Sequence, residues 1–268
     1  MDQKAAAAGD LCRGVNDPAG YRGTHTAAGY GVRYRRTYTR GYYAALWRDV
    51  ERPLLINVVR ACGGGPTKLC LDFACGTGRI SEAIATEYGK VVGVDVSSAM
   101  LAEARVPSNV ELIEADLTRT SLRQQFDAAT AFRFFLNAEE PLRRAALRSI
   151  YSHLKPGAPL ICNIHMAATS PMGVVYQGAR ALQGRVVHHV LTPDAFTPLL
   201  EACGFRVERL IHYGYLPRPG HFLPRLCERL VAPVERACRS LHVPGRWAQS
   251  FLVVATKVEA ASHASPQK

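Results

Sequence analysis

The sequence contains no apolar run that approaches the roughly 20 residues a helix needs to cross a bilayer. Residues 1–10 also lack the apolar segment of a secretory signal. Eight cysteines are scattered through 268 residues, with no C-x-x-C pair and no Cys/His spacing typical of zinc sites. These absences predict a cytoplasmic protein with reduced thiols, no disulfide framework and no bound metal.

Acidic residues are scarce on both flanks of the chain. Residues 1–60 carry 10 Lys/Arg against 5 Asp/Glu, residues 201–268 repeat these numbers, and the middle is near neutral within a net charge of +11. Such a field attracts an anionic substrate, a nucleic acid or an acidic membrane surface. A solvated, arginine-rich surface explains the same composition, so charge alone does not choose a partner.

Strand and helix patterns alternate through most of the chain. Helical spacing of apolar residues predicts two N-terminal helices within residues 39–66, separated at Pro53. Buried strands and amphipathic helices then follow in turn, which predicts a doubly wound, mostly parallel α/β sheet. Ligands of such sheets bind at the carboxyl ends of the strands. The predicted strands are 68–74, 91–96, 110–115, 127–132, 160–164, 205–211 and 250–256.

A glycine-containing loop, Ala74 to Gly78, lies at the carboxyl end of the first predicted strand and opens a helix. Glycines there let the backbone approach a ligand, and the helix N-terminus favours electron-rich groups. The dinucleotide fingerprint G-x-G-x-x-G would need glycine at position 81, where the sequence has Ser81. No Gly-Lys-Ser/Thr follows the loop, so it is not a P-loop either.

Three carboxylates are predicted to lie around this loop. Asp72 precedes it within the first strand, Asp95 ends the second strand and Asp116 ends the third. A carboxylate in the position of Asp95 accepts hydrogen bonds from ribose hydroxyls. A further acid at the same edge suits an adenine amino group, so the pattern indicates a nucleoside-containing cofactor.

The segments LDFACGTGR, VVGVDVSSAML, IEADLTR, FDAATAFRFFLN and LKPGAPLICNIH resemble, in this order, the motifs of class I S-adenosylmethionine-dependent methyltransferases. The resemblance covers residues 67–165 strongly and 192–257 weakly. It implies S-adenosyl-L-methionine as cofactor and a seven-stranded sheet of order 3-2-1-4-5-7-6 with strand seven antiparallel. The predicted organisation is a largely disordered arm (1–38), cap helices (39–66), a methyltransferase domain (67–257) with variable insertions at 166–191 and 212–246, and a disordered tail (258–268).

The resemblance also assigns roles around the cofactor. Asp72 would support the methionine amino group through the loop, Asp95 would hold the ribose, and Met100 would pack on the adenine. Ala74 stands where the family more often has glycine, and the added methyl group is expected to cost little. The cofactor-binding residues implied are Asp72, Ala74, Cys75, Gly76, Gly78, Asp95, Val96, Met100, Asp116, Leu117, Phe132 and Arg133.

The acceptor side is less well defined by the sequence. His165 ends the fifth strand and is the best candidate for a catalytic base or substrate ligand. The alternative is a histidine that only caps the strand. Arg133 could pair with an acidic substrate group, with Asp127 or with a helix acid. Candidate substrate-binding residues are Tyr43, Trp47, Arg133, Asn137 and His165, and His188-His189 is either lid or surface.

Motifs for nucleic-acid methylation are absent. No Asp/Asn-Pro-Pro-aromatic follows strand four, no Pro-Cys pair occurs, and no RNA-binding module is appended. The sequence therefore predicts methyl transfer to an O or N atom of a small molecule or sugar-containing intermediate. The alternatives are a non-catalytic methyltransferase-fold partner and a nucleic-acid methyltransferase.

A C-terminal helical insertion is predicted over Phe222 to Leu241, with leucines on one face and arginines on the other. Pro233 is expected to kink it. Such a helix serves as a substrate lid, a dimer contact or a peripheral contact with an anionic membrane. The sequence leaves the oligomeric state open between monomer and homodimer.

Overall fold

The computed structural model describes residues 29–182, 191–217 and 224–259. Helices and strands alternate along most of this length. The helices are α1 (Tyr30–Thr37), α2 (Tyr42–Leu46), α3 (Arg52–Ala61), α4 (Arg79–Ile84), α5 (Ser98–Leu101), α6 (Glu140–His153), α7 (Pro171–Leu182), α8 (Pro193–Glu201) and α9 (Pro224–Ser240). The strands are β1 (Gly65–Phe73), β2 (Tyr88–Asp95), β3 (Val110–Glu114), β4 (Ala128–Ala131), β5 (Pro159–Ile164), β6 (Phe205–Tyr213) and β7 (Ser250–Lys257).

The seven strands form one sheet of order β3-β2-β1-β4-β5-β7-β6. Strands β1 to β5 pair in parallel, and β7 is antiparallel to both β5 and β6. The predicted order and the antiparallel seventh strand are confirmed. Because five parallel strands end at one edge, that edge collects the loops after β1 to β5.

Each face of the sheet is covered by helices, as its side-chain alternation requires. Leu71 and Phe73 of β1 point into one apolar cluster, which α6 and α8 complete. Cys70 of the same strand points into the other cluster, where α2, α3, α4 and part of α9 pack. The doubly wound arrangement therefore follows from near-continuous apolar strands buried on both sides.

The N-terminal region differs from expectation in two places. Residues 30–37 form a helix although disorder was expected through residue 38. Tyrosine rings spaced four residues apart stack along α1, and Gly31 packs so closely on α5 that a Cβ there would lie 2.5 Å from the Ala99 oxygen. These contacts order a segment whose arginine-rich sequence shows no apolar face.

The predicted break at Pro53 is also wrong. The chain stays helical from Tyr42 to Ala61, with a π-helical turn at Trp47–Glu51 that ends two residues before the proline. A wider turn relieves the clash between a proline ring and the preceding carbonyl groups, so the helix continues. This turn directs Glu51 into the protein, where its side chain is fully buried.

Three further elements refine the prediction. The helix after the glycine loop ends at Ile84 rather than continuing to Tyr88, which instead begins β2. The long connection after β5 contains α7, and His188-His189 lies outside the described residues. The C-terminal insertion forms α9, whose Cys227 and Val231 pack in the apolar cluster that contains α2. No helix in the described ranges is both long and apolar enough to cross a membrane.

Candidate functional site

The loop between β1 and α4 has an unusual backbone. Ala74, Gly76 and Gly78 all adopt positive φ, at 55°, 58° and 75°. At Gly78 a Cβ would lie 2.7 Å from Val106, and at Gly76 it would lie 3.0 Å from the Met100 methyl group. Glycine suits both positions because a side chain would be strained in this backbone conformation and would crowd Val106 or Met100.

Ala74 destabilises the loop more than the volume of its methyl group alone suggests. An L-residue in the left-handed region carries a penalty of about 1–2 kcal/mol because its Cβ crowds the carbonyl oxygen. The prediction that alanine costs little is therefore wrong, because backbone strain adds to the small effect of the methyl volume. Such strain at a loop that opens a helix is typical of functional sites.

Asp95, at the end of β2, holds this loop to the neighbouring strand. Its Oδ2 accepts a hydrogen bond from the Gly76 N–H at 2.8 Å, and its Oδ1 accepts one from the Ser97 N–H at 2.9 Å. Burial raises the pKa of Asp95, and these backbone donors oppose the rise. A carboxylate at this position fixes the loop and presents lone pairs at the edge of the sheet.

Asp72 lies beneath the loop and is almost fully buried. Its carboxylate accepts hydrogen bonds from Ser81 Oγ at 2.6 Å and from Thr130 Oγ1 at 2.8 Å. Burial raises the pKa of Asp72 to about 6, although these hydroxyl donors lower it in part. Asp72 thus links β1 to α4 and β4 from below. Its predicted support of a methionine amino group stays a prediction.

The edge of β2 and β3 continues this surface. Met100 is buried in α5, which begins with a Ser97 side-chain cap, and Val96 leads into that cap. Asp116 follows β3 and accepts hydrogen bonds from the Thr118 N–H and hydroxyl. The remaining predicted contacts on this side are Leu117 and Cys75, which are buried in or beside the sheet core.

Arg133 follows β4 with a left-handed φ of 59°. Its backbone N–H donates to Asn163 Oδ1 of β5 at 2.8 Å, and its carbonyl accepts from the Asn137 side chain at 3.0 Å. These two bonds fix the Arg133 backbone in the strained conformation. The preceding residue, Phe132, is buried in the core cluster with α4, so the proposed cofactor contact of its ring stays a prediction.

The Arg133 side chain lies in a buried ionic cluster centred on Glu51. Glu51 Oε2 lies 3.7 Å from Arg133 and 3.4 Å from Arg79, and the three side chains are 1%, 10% and 12% exposed in the order Glu51, Arg133, Arg79. Glu51 Oε1 accepts hydrogen bonds from Tyr213 OH at 2.7 Å and Asn163 Nδ2 at 2.9 Å. Burial alone would raise the pKa of Glu51, but the two arginines and Tyr213 together hold that pKa below its ordinary value.

Aromatic rings cover both guanidinium groups. Arg79 lies between Tyr38 and Trp47, with ring centroids 4.2 and 4.0 Å from its Cζ. Arg133 lies 5.4 Å from the Tyr38 ring and 5.1 Å from the Tyr43 ring. The N-terminal helices therefore reach the carboxyl ends of β1 and β4 through cation–π contacts.

The structure gathers the predicted site residues along one edge of the sheet. His165 directly follows β5 and is half-buried there. Asp127, the suggested partner of Arg133, lies at the opposite edge and pairs with Lys155 at 2.7 Å. The helix acid that approaches Arg133 is Glu51.

Sequence reasoning missed the other members of this cluster: Glu51, Arg79, Asn163, Tyr213 and Tyr38. Two of them carried a usable signal. Arg79 immediately follows the glycine loop, and Asn163 is a polar residue inside an otherwise apolar buried strand. A buried polar side chain requires a partner, so Asn163 predicts that another polar group approaches β5.

Comparisons with known proteins agree with this architecture. The family described as a methyltransferase domain matches residues 70–157, which include the glycine loop, Asp95 and Arg133. The cypemycin N-terminal methyltransferase of a Streptomyces species is 41% identical over 92 residues, covering 32% of this chain and 38% of that protein.

Residues 70–157 therefore carry a methyltransferase domain.

The ubiquinone biosynthesis O-methyltransferase of Ruegeria pomeroyi is 30% identical over 161 residues, covering 56% of this chain and 63% of that protein. The chain thus spans less than two thirds of the length of these relatives. The crystal structure of magnesium protoporphyrin IX methyltransferase from Synechocystis, with bound S-adenosylhomocysteine, superposes with a TM-score of 0.59 at 19% identity. That match covers 88% of this chain and 97% of the other, and it supports the methyltransferase fold.

Proposed function

We propose that this protein transfers a methyl group from S-adenosyl-L-methionine to an O or N atom of a small molecule or a sugar-containing intermediate. One observation carries the proposal: Asp95 binds the Gly76 N–H across a loop of three left-handed residues, beside Met100. That arrangement leaves a side-chain-free strip of backbone next to a carboxylate and an apolar surface. The N- and O-methyltransferases among the relatives support the acceptor class.

The residues present fit this cofactor. A Cβ on Gly76 or Gly78 would fill the cradle, and Asp95 offers acceptors for ribose hydroxyls. In our proposal the loop from Ala74 to Gly78 holds the methionine part, Met100 packs on the adenine, and Asp116 frames the adenine edge. When bound, S-adenosylmethionine supplies an electrophilic methyl group on a sulfonium.

The chain's own contribution is chiefly positioning. In-line transfer gains most of its rate from holding the acceptor atom near the methyl group. Arg133 and Asn137 lie after β4 and His165 lies after β5, on the side of the loop away from Met100. We propose His165 as the group that removes a proton from an alcohol acceptor, with Tyr43 and Trp47 enclosing the acceptor.

Replacing Asp95 by alanine is expected to weaken S-adenosylhomocysteine binding about ten- to several-hundred-fold. The substitution removes a charge-assisted hydrogen bond to the ribose worth about 1.5–3 kcal/mol and releases the Gly76 and Ser97 N–H groups. Calorimetric titration measures the effect. Asp127→Ala is the matched control, because this carboxylate also accepts a backbone N–H, from Leu69 at 2.9 Å, but at the opposite edge of the sheet.

Lack of S-adenosylhomocysteine binding by the wild-type protein would refute the cofactor assignment. If S-adenosylhomocysteine does bind, transfer of label from the methyl-labelled cofactor to a compound in metabolite extracts would identify the acceptor. A non-catalytic partner predicts cofactor binding without any labelled product. A nucleic-acid methyltransferase predicts binding to RNA or DNA that falls steeply with salt.

We further propose that residues 67–257 form the methyltransferase domain and residues 39–66 its cap. The contacts of Tyr43 and Trp47 with Arg133 and Arg79 support a cap that belongs to the site. The segments 166–191 and 212–246 lie outside the stretch that the family matches and are the variable insertions in this proposal.

A further inference from the structure

The two arginines of the Glu51 cluster have few partners for their charge. Arg79 donates one long hydrogen bond, at 3.4 Å, to Glu51, and the described structure gives the Arg133 side chain none within 3.5 Å. The Nε atoms of both are buried without an acceptor. A guanidinium carries several N–H donors, so within the described residues this pair has donors to spare for a ligand.

The cluster also carries an excess of positive charge. Two guanidinium groups face one carboxylate, and Asn163 and Tyr213, which complete the shell of Glu51, are neutral. Burying a charge without compensation is strongly unfavourable. An anion placed against the arginines would complete both the charge balance and the hydrogen bonding.

The aromatic rings restrict how such an anion approaches. The Tyr38 and Trp47 rings both lie against Arg79, and the Tyr38 and Tyr43 rings lie against Arg133. Rings stacked on a guanidinium leave an anion to approach at the edge of its plane, where the N–H groups point. Edge-on approach is the geometry in which arginine binds a carboxylate or phosphate through paired hydrogen bonds.

The position of Arg133 and Asn163 favours the acceptor over the cofactor as the source of the anion. The nucleoside edge follows β1, β2 and β3, whereas Arg133 follows β4 and Asn163 lies in β5, on the other side of β1. Arg79 directly follows the glycine loop and joins the two sides. Neighbouring strands lie about 4.8 Å apart, so Asn163 is two strand spacings from the glycine loop. We propose that Arg133 and Arg79 bind a carboxylate or phosphate group of the methyl acceptor, an inference that rests on the proposed methyl transfer.

Small probe anions test this subsite on the full chain saturated with S-adenosylhomocysteine. Benzoate and phenyl phosphate are titrated against benzamide, a neutral analogue of benzoate, by ligand-observed NMR. At least one anion is expected to bind at least about tenfold more tightly than benzamide, and Arg133→Gln is expected to abolish that preference. Which of the two anions wins distinguishes a carboxylate acceptor from a phosphate. Arg144→Gln, which removes a surface arginine paired with Glu140, is the matched control.

Two results would overturn the proposal. One is equal binding of the anions and benzamide to the saturated wild type. The other is an Arg133→Gln protein that loses affinity for S-adenosylhomocysteine but not for 5′-methylthioadenosine, which lacks the amino acid part, because the anion would then be the cofactor's own carboxylate. Arg79→Gln repeats the test if Arg133→Gln is unstable. Failure of the wild type to bind S-adenosylhomocysteine at all would instead refute the proposed function.

An independent observation concerns the outer surface of α9. Leu226, Leu230, Pro233, Ala237 and Leu241 are all exposed and follow one another at spacings of three or four residues. We call this set the α9 stripe. Its leucines are 47%, 37% and 77% exposed, and Trp247 nearby is 50% exposed. A continuous exposed apolar stripe on one helix indicates a contact surface.

Charge identifies the partner that suits the α9 stripe. Exposed arginines flank it at 225, 229, 236, 239 and 246. Both acids of the helix have partners: Glu228 accepts the Gly41 N–H, and buried Glu235 accepts the Gly214 N–H at 2.9 Å and pairs with Arg239 at 3.0 Å. Arg225, Arg229, Arg236 and Arg246 are thus the arginines that the headgroups would meet. We infer that α9 docks on an anionic lipid surface, with the stripe in the acyl boundary and the arginines at the headgroups.

Sedimentation with vesicles tests this docking. The protein is expected to sediment with phosphatidylglycerol-containing vesicles and not with phosphatidylcholine alone. Arg225→Gln with Arg229→Gln is expected to weaken binding by more than about tenfold, at roughly fivefold per arginine. The control pair, Arg144→Gln with Arg148→Gln, removes the same charge from α6. Equal sedimentation with both lipids, no sedimentation, or a solution dimer that Leu230→Asn dissociates would each contradict the inference.

Discussion

Replacing Glu51 by alanine is expected to lower the free energy of unfolding by about 3–5 kcal/mol, the usual cost of removing one partner of a buried ion pair. Glu51 is fully buried and is the carboxylate that approaches Arg79 and Arg133. Its removal leaves two guanidinium groups in the interior without an acid, and it also deprives Tyr213 and Asn163 of their acceptor. Urea unfolding followed by circular dichroism measures the change.

Two comparisons separate this effect from the loss of any surface ion pair. Glu140→Ala removes the partner of Arg144 at an exposed site and is expected to cost at most about 1 kcal/mol. Adding Arg133→Met to Glu51→Ala should recover part of the loss, because one uncompensated charge is removed with it. A Glu51→Ala protein as stable as Glu140→Ala would show that the cluster is solvated and not a buried charge centre.

The stability of the wild type relative to Asp72→Asn is expected to fall by about 2 kcal/mol as the pH rises from 4 to 6. Burial raises the pKa of Asp72 in the folded state from 3.8 to about 6. Between these values the folded protein keeps a proton that the unfolded chain has released, so raising the pH disfavours folding until the folded carboxyl ionises. Each unit of pKa difference is worth about 1.4 kcal/mol. Urea titrations of both proteins across this range give the difference.

Asp127 provides a control of opposite sign. Lys155 and the Leu69 N–H outweigh the effect of burial and lower the pKa of Asp127, so its contribution to stability is present above the ordinary pKa and lost as the pH falls. Asp127→Asn should therefore track the wild type between pH 4 and 6. Parallel curves for the wild type and Asp72→Asn would show that Asp72 is ionised throughout and that burial does not raise its pKa.

The sheet was predictable because its determinants are local. Near-continuous apolar segments such as Leu160 to Ile164 predict buried parallel strands, and the motif order of the family supplied the strand order. The loop from Ala74 to Gly78 and the acids Asp72, Asp95 and Asp116 were found from their spacing. Boundaries moved by one to three residues at most strands, since strand ends depend on pairing partners that a sequence does not show.

The Glu51 cluster was not predictable in the same way. Glu51 meets Asn163 across 112 residues of chain and Tyr213 across 162, and each of these looks ordinary in its own segment. The sequence did not predict the π-helical turn that directs Glu51 inward, because a proline at position 53 normally indicates a helix break. Likewise, α1 packs on α5 through Gly31, and Tyr38, just beyond the end of α1, contacts Arg79. The polar sequence of this segment predicts neither contact.

The placement of α1 bears on which step would limit the steady-state rate of the proposed reaction. One end of this segment packs on α5 through Gly31, beside the nucleoside edge, and Tyr38 just beyond its other end contacts both Arg79 and Arg133. A single short segment therefore spans the proposed cofactor half and the proposed acceptor half of the edge. If the proposed methyl transfer holds, cofactor exchange and product release both require this segment to move, and we expect that movement, rather than the transfer itself, to limit the steady-state rate.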